Sequence, residues 1–118
     1  MASTEKSDAG GQGCERALRS GASRNPAERP GFRITELQIG PNQKVPWHCH
    51  SNVQDTFYVL AGKIRIFLRD PKEEVQLRPG DTYSVIPKRP HLVTNAGEDS
   101  AVFLVLQGVG EYDFVPLV

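Results

Sequence analysis

The amino-acid sequence predicts an all-β fold, a sandwich or barrel of short strands, for residues 32–118. Apolar and polar residues alternate along this part, as in Ile64, Arg65 and Ile66, and a period of two is typical of strands with one buried face. Residues that favour turns interrupt the alternation about every 8–12 residues, which is typical of sandwiches and barrels. No segment of this part shows the period of an amphipathic helix.

The predicted strands follow one another in a regular order. They cover residues 32–39, 45–50, 55–61, 64–68, 74–77, 82–86, 91–95, 101–107 and 112–118. Gly, Pro, Asn and Asp in the intervening segments favour turns, whereas β-branched and aromatic residues inside the strands favour extended backbone. The apolar residues predicted to fill the interior are Phe57, Val59, Ile64, Ile66, Leu68, Val85 and Val93.

The N-terminal part differs in composition from the rest of the chain. Residues 1–31 are rich in glycine and small or charged residues, and their only large aliphatic side chains are Met1 and Leu18. Such a stretch buries too little apolar surface to offset the entropy lost on ordering. The sequence therefore predicts a flexible N-terminal arm over residues 1–31 and one folded domain over residues 32–118.

Composition excludes several classes of partner. The 118 residues carry 14 basic and 14 acidic side chains, and this balance argues against nucleic acid and against a membrane surface as partner. No apolar run approaches the roughly 20 residues of a membrane span, and the N-terminus lacks the apolar stretch of a secretory signal. Two cysteines, Cys14 and Cys49, are too few for a disulfide framework. We therefore expect a cytoplasmic protein whose ligand is a small molecule.

Three histidines and one aspartate form a candidate metal site. His48 and His50 are two residues apart, so their side chains share one face of an extended strand. Asp55 begins the next predicted strand, and His91 lies in a similar proline-bounded segment. Imidazole and carboxylate are ligands that hold transition metals with open positions. The alternative is that these are surface histidines near the start of a strand.

The same residues resemble the two sequence motifs of the cupin family. The motif positions are Gly40, His48, Cys49, His50, Asp55, Gly62, Pro79, Gly80, Asp81, Pro87, Pro90, His91 and Asn95. The resemblance covers nearly all of residues 32–118 and implies a double-stranded β-helix, or jelly-roll barrel. It also implies one divalent metal held inside by His48, His50, Asp55 and His91.

The chain departs from the cupin pattern in ways that bear on the site. Asp55 stands where the family usually has glutamate, and Lys88 stands where the second motif often has glycine. Aspartate is one methylene shorter, and metal–oxygen bonds of about 2.0–2.2 Å do not lengthen to compensate. Two arrangements therefore remain open: a four-ligand site, or a three-histidine site in which Asp55 acts from outside.

Asp55 and Tyr83 are the candidate catalytic residues. The predicted interior offers few other protonatable groups, so the metal would carry most of the chemistry. If a water is bound at the metal, Asp55 is the nearest base to take its proton. Gln54, Tyr58 and Gln107 are further polar residues that could contact the metal ligands or a substrate.

The sequence favours a metal-dependent enzyme that acts on a small organic molecule. An Fe(II) dioxygenase is the favoured subclass because a histidine or histidine–carboxylate set with open positions suits that chemistry; Mn, Ni, Zn and Co are the other candidate metals. Isomerase, lyase and decarboxylase reactions occur in the same family, and the fold does not choose among them. The alternatives are a non-catalytic metal-containing module that binds a sugar or carboxylate, and a bare interaction protein.

The apolar pattern also predicts a homodimer. Tyr58 and Leu60 point outward if Asp55 and Phe57 point inward, and residues 101–106 are apolar at every position. A strand that is apolar on both faces needs cover on both faces. A second copy of the chain is the simplest cover, because two-fold dimers are the commonest oligomers.

Overall fold

A computed structural model describes residues 22–29, 31–108 and 112–117. Its strands are β1 (Ala22–Arg29), β2 (Phe32–Ile39), β3 (Lys44–Cys49), β4 (Gln54–Ala61), β5 (Ile64–Leu68), β6 (Glu73–Leu77), β7 (Thr82–Val85), β8 (His91–Asn95), β9 (Ala101–Gly108) and β10 (Val115–Pro116). Within these ranges no helix is long and apolar enough to cross a membrane.

The strands form two five-stranded antiparallel sheets. The order of the first sheet is β1-β2-β9-β4-β7, and that of the second is β10-β3-β8-β5-β6. Neighbours within each sheet are mostly not consecutive in the chain, so the chain crosses repeatedly between the sheets. This arrangement confirms the predicted all-β class and the double-stranded β-helix.

The core lies between the two sheets, as the alternation of residue types predicts. Along β9 every second residue is buried, and β5 shows the same alternation with Ile64, Ile66 and Leu68 inside. The predicted interior residues on β4, β7 and β8 are also buried. Phe103 and Ile39 are among the largest completely buried side chains. Burial of these apolar groups, at roughly 25 cal/mol per Å², is the main stabilising term.

The N-terminal segment contains a strand that the sequence did not predict. β1 pairs with β2 along the edge of the first sheet, so the predicted flexible arm over residues 1–31 is corrected at residues 22–29. Residues 1–21 and 30 lie outside the described residues. The pairing is irregular between Arg24 and Ala27, where Pro26 lacks a backbone N–H, and proline is tolerated at such edge positions. A polar contact helps to hold β1 on β2: Thr35 Oγ1 donates a hydrogen bond to Asn25 Oδ1 at 2.8 Å.

Candidate metal centre

Two strands of the second sheet bring the three histidines together. His48 lies on β3, His50 follows the end of that strand, and His91 begins β8 directly opposite His48. Residues three apart face opposite sides of a regular strand, but the β3–β8 pairing is irregular between Val45 and His48. The side chains of Val45 and His48 therefore both point into the barrel. Cys49, between the two histidines, is half-buried and points away from them.

Asp55 approaches the histidines from the opposite sheet. Its Oδ2 atom lies 3.0 Å from Nε2 of His50 and 3.1 Å from Nε2 of His91. His48 completes the group, with its ring centroid 4.2 Å from that of His91. All four residues are at most 2% exposed. The structure therefore brings together the four residues that the sequence singled out as ligands.

Backbone carbonyls set the orientation of all three imidazole rings. Nδ1 of His48 lies 2.7 Å from the carbonyl oxygen of Pro46, and Nδ1 of His91 lies 2.9 Å from that of Arg89. Nδ1 of His50 bonds to the carbonyl oxygen of Asp113 in the same way. A carbonyl oxygen only accepts, so each Nδ1 carries the hydrogen. In a neutral ring Nε2 is then an unprotonated lone pair, the form in which histidine binds a metal.

This set of donors suits a divalent cation. The four candidate ligand atoms lie within 4.8 Å of one another. Two ligands on opposite sides of one ion, each about 2.1 Å away, are about 4.2 Å apart. Small side-chain shifts would therefore bring all four atoms within bonding distance of one ion. Nε2 of His50 is buried and makes no hydrogen bond of good geometry, although Asp55 is near. Three inward lone pairs beside a carboxylate repel each other unless a positive charge lies among them.

Electrostatics within the cluster favour an ionised Asp55. Burial alone would raise the pKa of this carboxyl, but His50 and His91 hold it well below its usual range. Burial, with His91 and His50 nearby, lowers the pKa of His48 to about 3. Burial also disfavours charge on His50, yet the Asp55 carboxylate raises the pKa of this ring above its ordinary value. The cluster thus offers a negative carboxylate and a neutral His48 at neutral pH.

Gln107 holds the carboxylate of Asp55. Its Nε2 atom donates to Oδ1 of Asp55 at 2.7 Å, and the two residues are register partners on β9 and β4. With Oδ1 occupied in this way, Oδ2 faces His50 and His91. The sequence names Gln107 only as a polar residue that could contact the ligands, and the register between β4 and β9 shows that it pairs with Asp55.

The C-terminal segment supports the histidines from the rim. The backbone carbonyl of Asp113 contacts His50. Its side-chain Oδ1 also accepts a hydrogen bond of 2.7 Å from the backbone N–H of Ser51. The Phe114 ring stacks on His48 with a centroid distance of 4.5 Å. Sequence reasoning missed both roles, because Asp113 lies 63 residues from His50 and carries no motif.

A small cavity opens beside the four residues. Its lining residues are Arg33, Thr35, Leu37, Val45, His48, His50, Asp55, Phe57, Val93, Val105, Gln107 and Tyr112. The space open to the centre of a water molecule is about 20 Å³, enough for about one water. Arg33 is a functional candidate that the sequence analysis did not name; its inward position follows from its parity with Leu37 and Ile39 on β2.

Comparison with known proteins identifies the family. A family model described as a cupin domain matches residues 35–113, well over half of the chain. The chain is a cupin. Among curated proteins, none matches it significantly in sequence.

Solved structures show the same fold in proteins of different description. An uncharacterized double-stranded β-helix protein from Klebsiella pneumoniae has TM-score 0.72 and 20% identity, covering 86% of this cupin and 91% of that chain. An oxalate decarboxylase from Lactobacillus farciminis, as a formate complex, has TM-score 0.73 and 16% identity, covering 83% of this cupin and 31% of that chain. The cupin domain of Schizosaccharomyces pombe Cnp3 has TM-score 0.66 and 16% identity, covering 75% and 63%. This cupin thus spans about a third of the decarboxylase.

Tyr83 does not lie at the centre of this cupin. It is on β7, packs at the margin of the core, and its hydroxyl donates to Glu73 Oε1 at 3.4 Å. It is not among the residues that line the cavity. β7 is the edge strand of the first sheet, and the contact to Glu73 places the phenol beside β6. The catalytic role of Tyr83 stays a prediction, and in this structure its hydroxyl contacts Glu73 and not the histidines.

The remaining polar candidates divide between the cavity and the surface. Gln54 and Tyr58 are exposed on β4, away from the cavity that Gln107 lines. Asn95 stabilises its own loop, since its Nδ2 donates to the carbonyl oxygens of Ile39 and Asp99. Among the described residues of this cupin, the candidate chemistry thus lies with the four inward donors and the cavity beside them.

Proposed function

We propose that this cupin is a metal-dependent enzyme that acts on a small organic molecule, with Fe(II) dioxygenase chemistry as the first candidate reaction. The observation that carries the proposal is the convergence of three imidazole Nε2 atoms and one carboxylate on a single buried point beside a cavity. His48, His50, His91 and Asp55 would hold the metal. Such a metal would supply a Lewis acid and, as Fe(II), electrons for the reduction of dioxygen.

The residues around the metal position have separate tasks. Gln107 keeps the Asp55 carboxylate turned toward the histidines, and the carbonyl of Asp113 keeps His50 in the correct tautomer. Val45, Phe57 and Val105 form an apolar wall that limits water near the site. A low-dielectric wall strengthens every electrostatic interaction inside it. Since Asp55 is ionised, its negative charge would offset that of the metal, whereas its lowered pKa makes it a weak base for a proton released by a bound water or substrate.

The small cavity favours a small substrate. Only about 20 Å³ is open to water centres in the enclosed part, which is room for about one water, so even a molecule of a few heavy atoms would have to shift the lining side chains to bind there. A larger substrate would have to extend toward the rim at Tyr112.

Lyase chemistry on a small acid, including decarboxylation, is the second candidate. The supporting observation is the fold shared with the oxalate decarboxylase from Lactobacillus farciminis, and this support is at the level of the fold alone. The two candidates differ in their need for dioxygen, so one measurement separates them.

The proposal is tested by metal content and turnover measured on the same preparation. Full-length protein purified without chelator is analysed for Fe, Mn, Co, Ni and Zn, then assayed in air and under nitrogen against small dicarbonyl, phenolic and carboxylate compounds. Dioxygen consumption coupled to product supports the oxygenase, and turnover under nitrogen supports the lyase. Metal without turnover of any compound indicates a binding module, and a preparation that binds none of these metals overturns the proposal.

A matched pair of variants assigns the activity to the site. His91→Ala removes one donor, whereas Gln54→Ala changes an exposed residue adjacent to Asp55. We expect metal and turnover to be lost in His91→Ala and kept in Gln54→Ala.

A further inference from the structure

We propose that residues 112–117, here called the strap, form a gate that has to lift before a molecule larger than water enters the cavity. The inference rests on the proposed function only in taking this cavity as the binding site, and it is tested without turnover. Its first support is volume. About 20 Å³ open to water centres holds about one water, so a wall of the cavity has to move to admit an organic molecule.

Tyr112, the first residue of the strap, is the wall of the cavity that borders solvent. Every other residue that lines the cavity is at most 6% exposed, whereas Tyr112 is half-buried. Most lining residues lie on strands, and only Tyr112 and His50 lie outside them. A strand residue moves outward only if ladder hydrogen bonds break. The wall at Tyr112 is therefore the one that gives way at the lowest free energy.

Two aromatic rings of the strap cover the candidate metal ligands. The ring of Tyr112 lies 5.2 Å from that of His50, centroid to centroid, and the central guanidinium carbon of Arg33 lies 4.1 Å from the Tyr112 centroid. The ring of Phe114 stacks on His48 at 4.5 Å, with 22° between the ring planes. In this position the strap closes the end of the barrel over both histidines.

The strap is anchored more weakly than the strands beside it. Its ladder to β3 consists of Val115 and Pro116 alone, whereas β9 pairs with β2 along eight residues. The N–H of Leu117 adds one bond of 3.0 Å to the carbonyl oxygen of Trp47. None of residues 112–117 is fully buried. Segments with few buried contacts and few hydrogen bonds open locally while the rest of the fold stays intact.

Asp113 links the strap to the metal position. Its backbone carbonyl accepts the Nδ1 hydrogen of His50, and its Oδ1 accepts a hydrogen bond of 2.7 Å from the N–H of Ser51. Lifting the strap breaks both bonds and leaves His50 without the acceptor that orients it. A metal on Nε2 of a neutral ring requires the hydrogen on Nδ1. A bound metal therefore favours the closed strap, and the closed strap favours the metal to the same degree.

A reversible cross-link tests whether the strap has to lift. Val115 and Cys49 are register partners on β10 and β3, and Cα atoms of antiparallel partners are about 4.5–5.5 Å apart, a distance that a disulfide spans. Val115→Cys in full-length protein should therefore fasten the strap to β3 when oxidised and free it when reduced. Cys14→Ser is added to remove the other natural thiol, and Val115→Ser in the same background is the matched control.

Uptake of Co²⁺ by metal-free protein, followed through the visible spectrum, measures entry into the cavity. We expect the oxidised Val115→Cys protein to take up Co²⁺ more than about 10-fold more slowly than the same protein after reduction, because a disulfide stabilises the closed strap. The Val115→Ser control should show one rate under both conditions. Equal rates for oxidised and reduced Val115→Cys, with the disulfide verified by mass spectrometry, overturn the gate.

Amide hydrogen exchange followed by NMR gives a second readout that requires no metal. The N–H groups of Ser51 and Leu117 both bond across the boundary between strap and barrel. We expect both to exchange at least about 10-fold faster than that of Val105 in the middle of β9, and both to slow when Co²⁺ is bound. If either exchanges only as slowly as Val105, through global unfolding, the gate is overturned even if the cross-link does not form. A wild type that binds no metal contradicts the proposed function, and exchange in the metal-free protein still decides on the gate.

Discussion

Nε2 of Gln107 lies 2.7 Å from Oδ1 of Asp55, and this bond joins the middle strand of one sheet to the candidate metal centre. The histidines contact the other carboxylate oxygen, Oδ2. Gln107 therefore acts on the cluster through Asp55 and not by contact with the histidines. Groups that orient metal ligands in this way commonly change metal affinity when they are removed.

Replacing Gln107 should weaken metal binding without unfolding the protein. Gln107→Leu removes the donor to Oδ1 and leaves the carboxylate free to rotate, so we expect metal affinity to fall about 10- to 100-fold. Competition with a fluorescent chelator measures the affinity, and thermal unfolding checks the fold. Gln54→Leu, on the exposed face of β4, is the control and should retain wild-type affinity. Equal affinity in both variants would contradict the orienting role.

A pair of glycine substitutions tests two kinds of backbone constraint. Gly62 and Gly80 have φ angles of +75° and +91°, so an alanine is strained at either position. A Cβ at Gly62 would also lie 2.8 Å from Cα of Ala101 and 2.8 Å from the carbonyl oxygen of Ser100, whereas a Cβ at Gly80 meets nothing within 4 Å. We expect Gly80→Ala to lower the free energy of unfolding by about 1–2 kcal/mol and Gly62→Ala by about 2–5 kcal/mol. Urea unfolding measures both, and equal losses would show that the close approach to β9 has no cost.

Strand parity explains how much of the site could be predicted from sequence. With Asp55 inward, Phe57 and Val59 had to be inward as well, and the structure confirms both. A barrel also had to close on itself for His91 to reach His50, which lies 41 positions earlier (91 − 50). Alternation and closure are local or topological rules, so a single sequence carries them.

Contacts between distant strands could not be predicted in the same way. Arg33 is the second residue of a predicted strand, and a charged residue usually lies in solvent. Only its neighbours Gln107 and Tyr112 show that it lines the cavity. β1 was missed because its pairing depends on backbone hydrogen bonds and on Asn25, and it has little apolar pattern. Tyr83 is a sequence candidate because its hydroxyl can donate a proton, but β7 is the edge strand of the first sheet and the hydroxyl contacts Glu73 on β6.

The stability of the metal-free protein should depend on pH with a maximum near neutrality. The folded pKa of His48 is about 3, against about 6.5 in an unfolded chain. Between these values the unfolded chain holds a proton that folded His48 lacks, so the free energy of unfolding falls as the pH drops below about 6.5. Asp55, with its lowered pKa, adds a further loss below about pH 4.

His50 acts in the opposite direction at higher pH. Its pKa is raised in the folded state, so its contribution is fully present below about 6.5 and is lost as the pH rises through the folded value. Urea unfolding of chelator-treated protein from pH 4.5 to 8.5 measures both limbs. His48→Phe should flatten the acid limb, whereas Leu92→Phe, on the outer face of β8, should not. A profile that is flat between pH 5 and 6.5 would contradict the assignment to His48.

The outer face of the first sheet should hold two copies of the chain together. Tyr58 and Leu60 are 37% and 44% exposed, and Leu104, the register partner of Tyr58, is half-buried on the adjacent β9. Apolar faces of this kind mark interfaces. We expect a dimer by light scattering at micromolar concentration, and a monomer for Leu104→Lys. Leu92→Lys, a matched change on the outer face of the second sheet, should stay dimeric, and a monomeric wild type would contradict the prediction.

The last prediction concerns Asp55 as a direct ligand. From the sequence alone, its shorter side chain suggested a role outside the metal ligands, either by accepting an N–H from a histidine or by acting through water. In the structure the Nδ1 hydrogens of the three histidines already go to backbone carbonyls, so a neutral ring has no N–H left for Asp55. Its Oδ2 atom also lies among the Nε2 atoms. We therefore expect Asp55→Ala to lower metal affinity by more than about 100-fold, beyond the range typical of outer groups, and as severely as His48→Ala.

Metal content after dialysis measures this for both variants. Asp55→Asn is the matched control for shape, because it keeps an oxygen ligand but loses the charge, and it should retain metal more weakly than the wild type and more strongly than Asp55→Ala. If Asp55→Ala keeps its metal and loses only turnover, the three histidines bind the metal alone and Asp55 acts as a base.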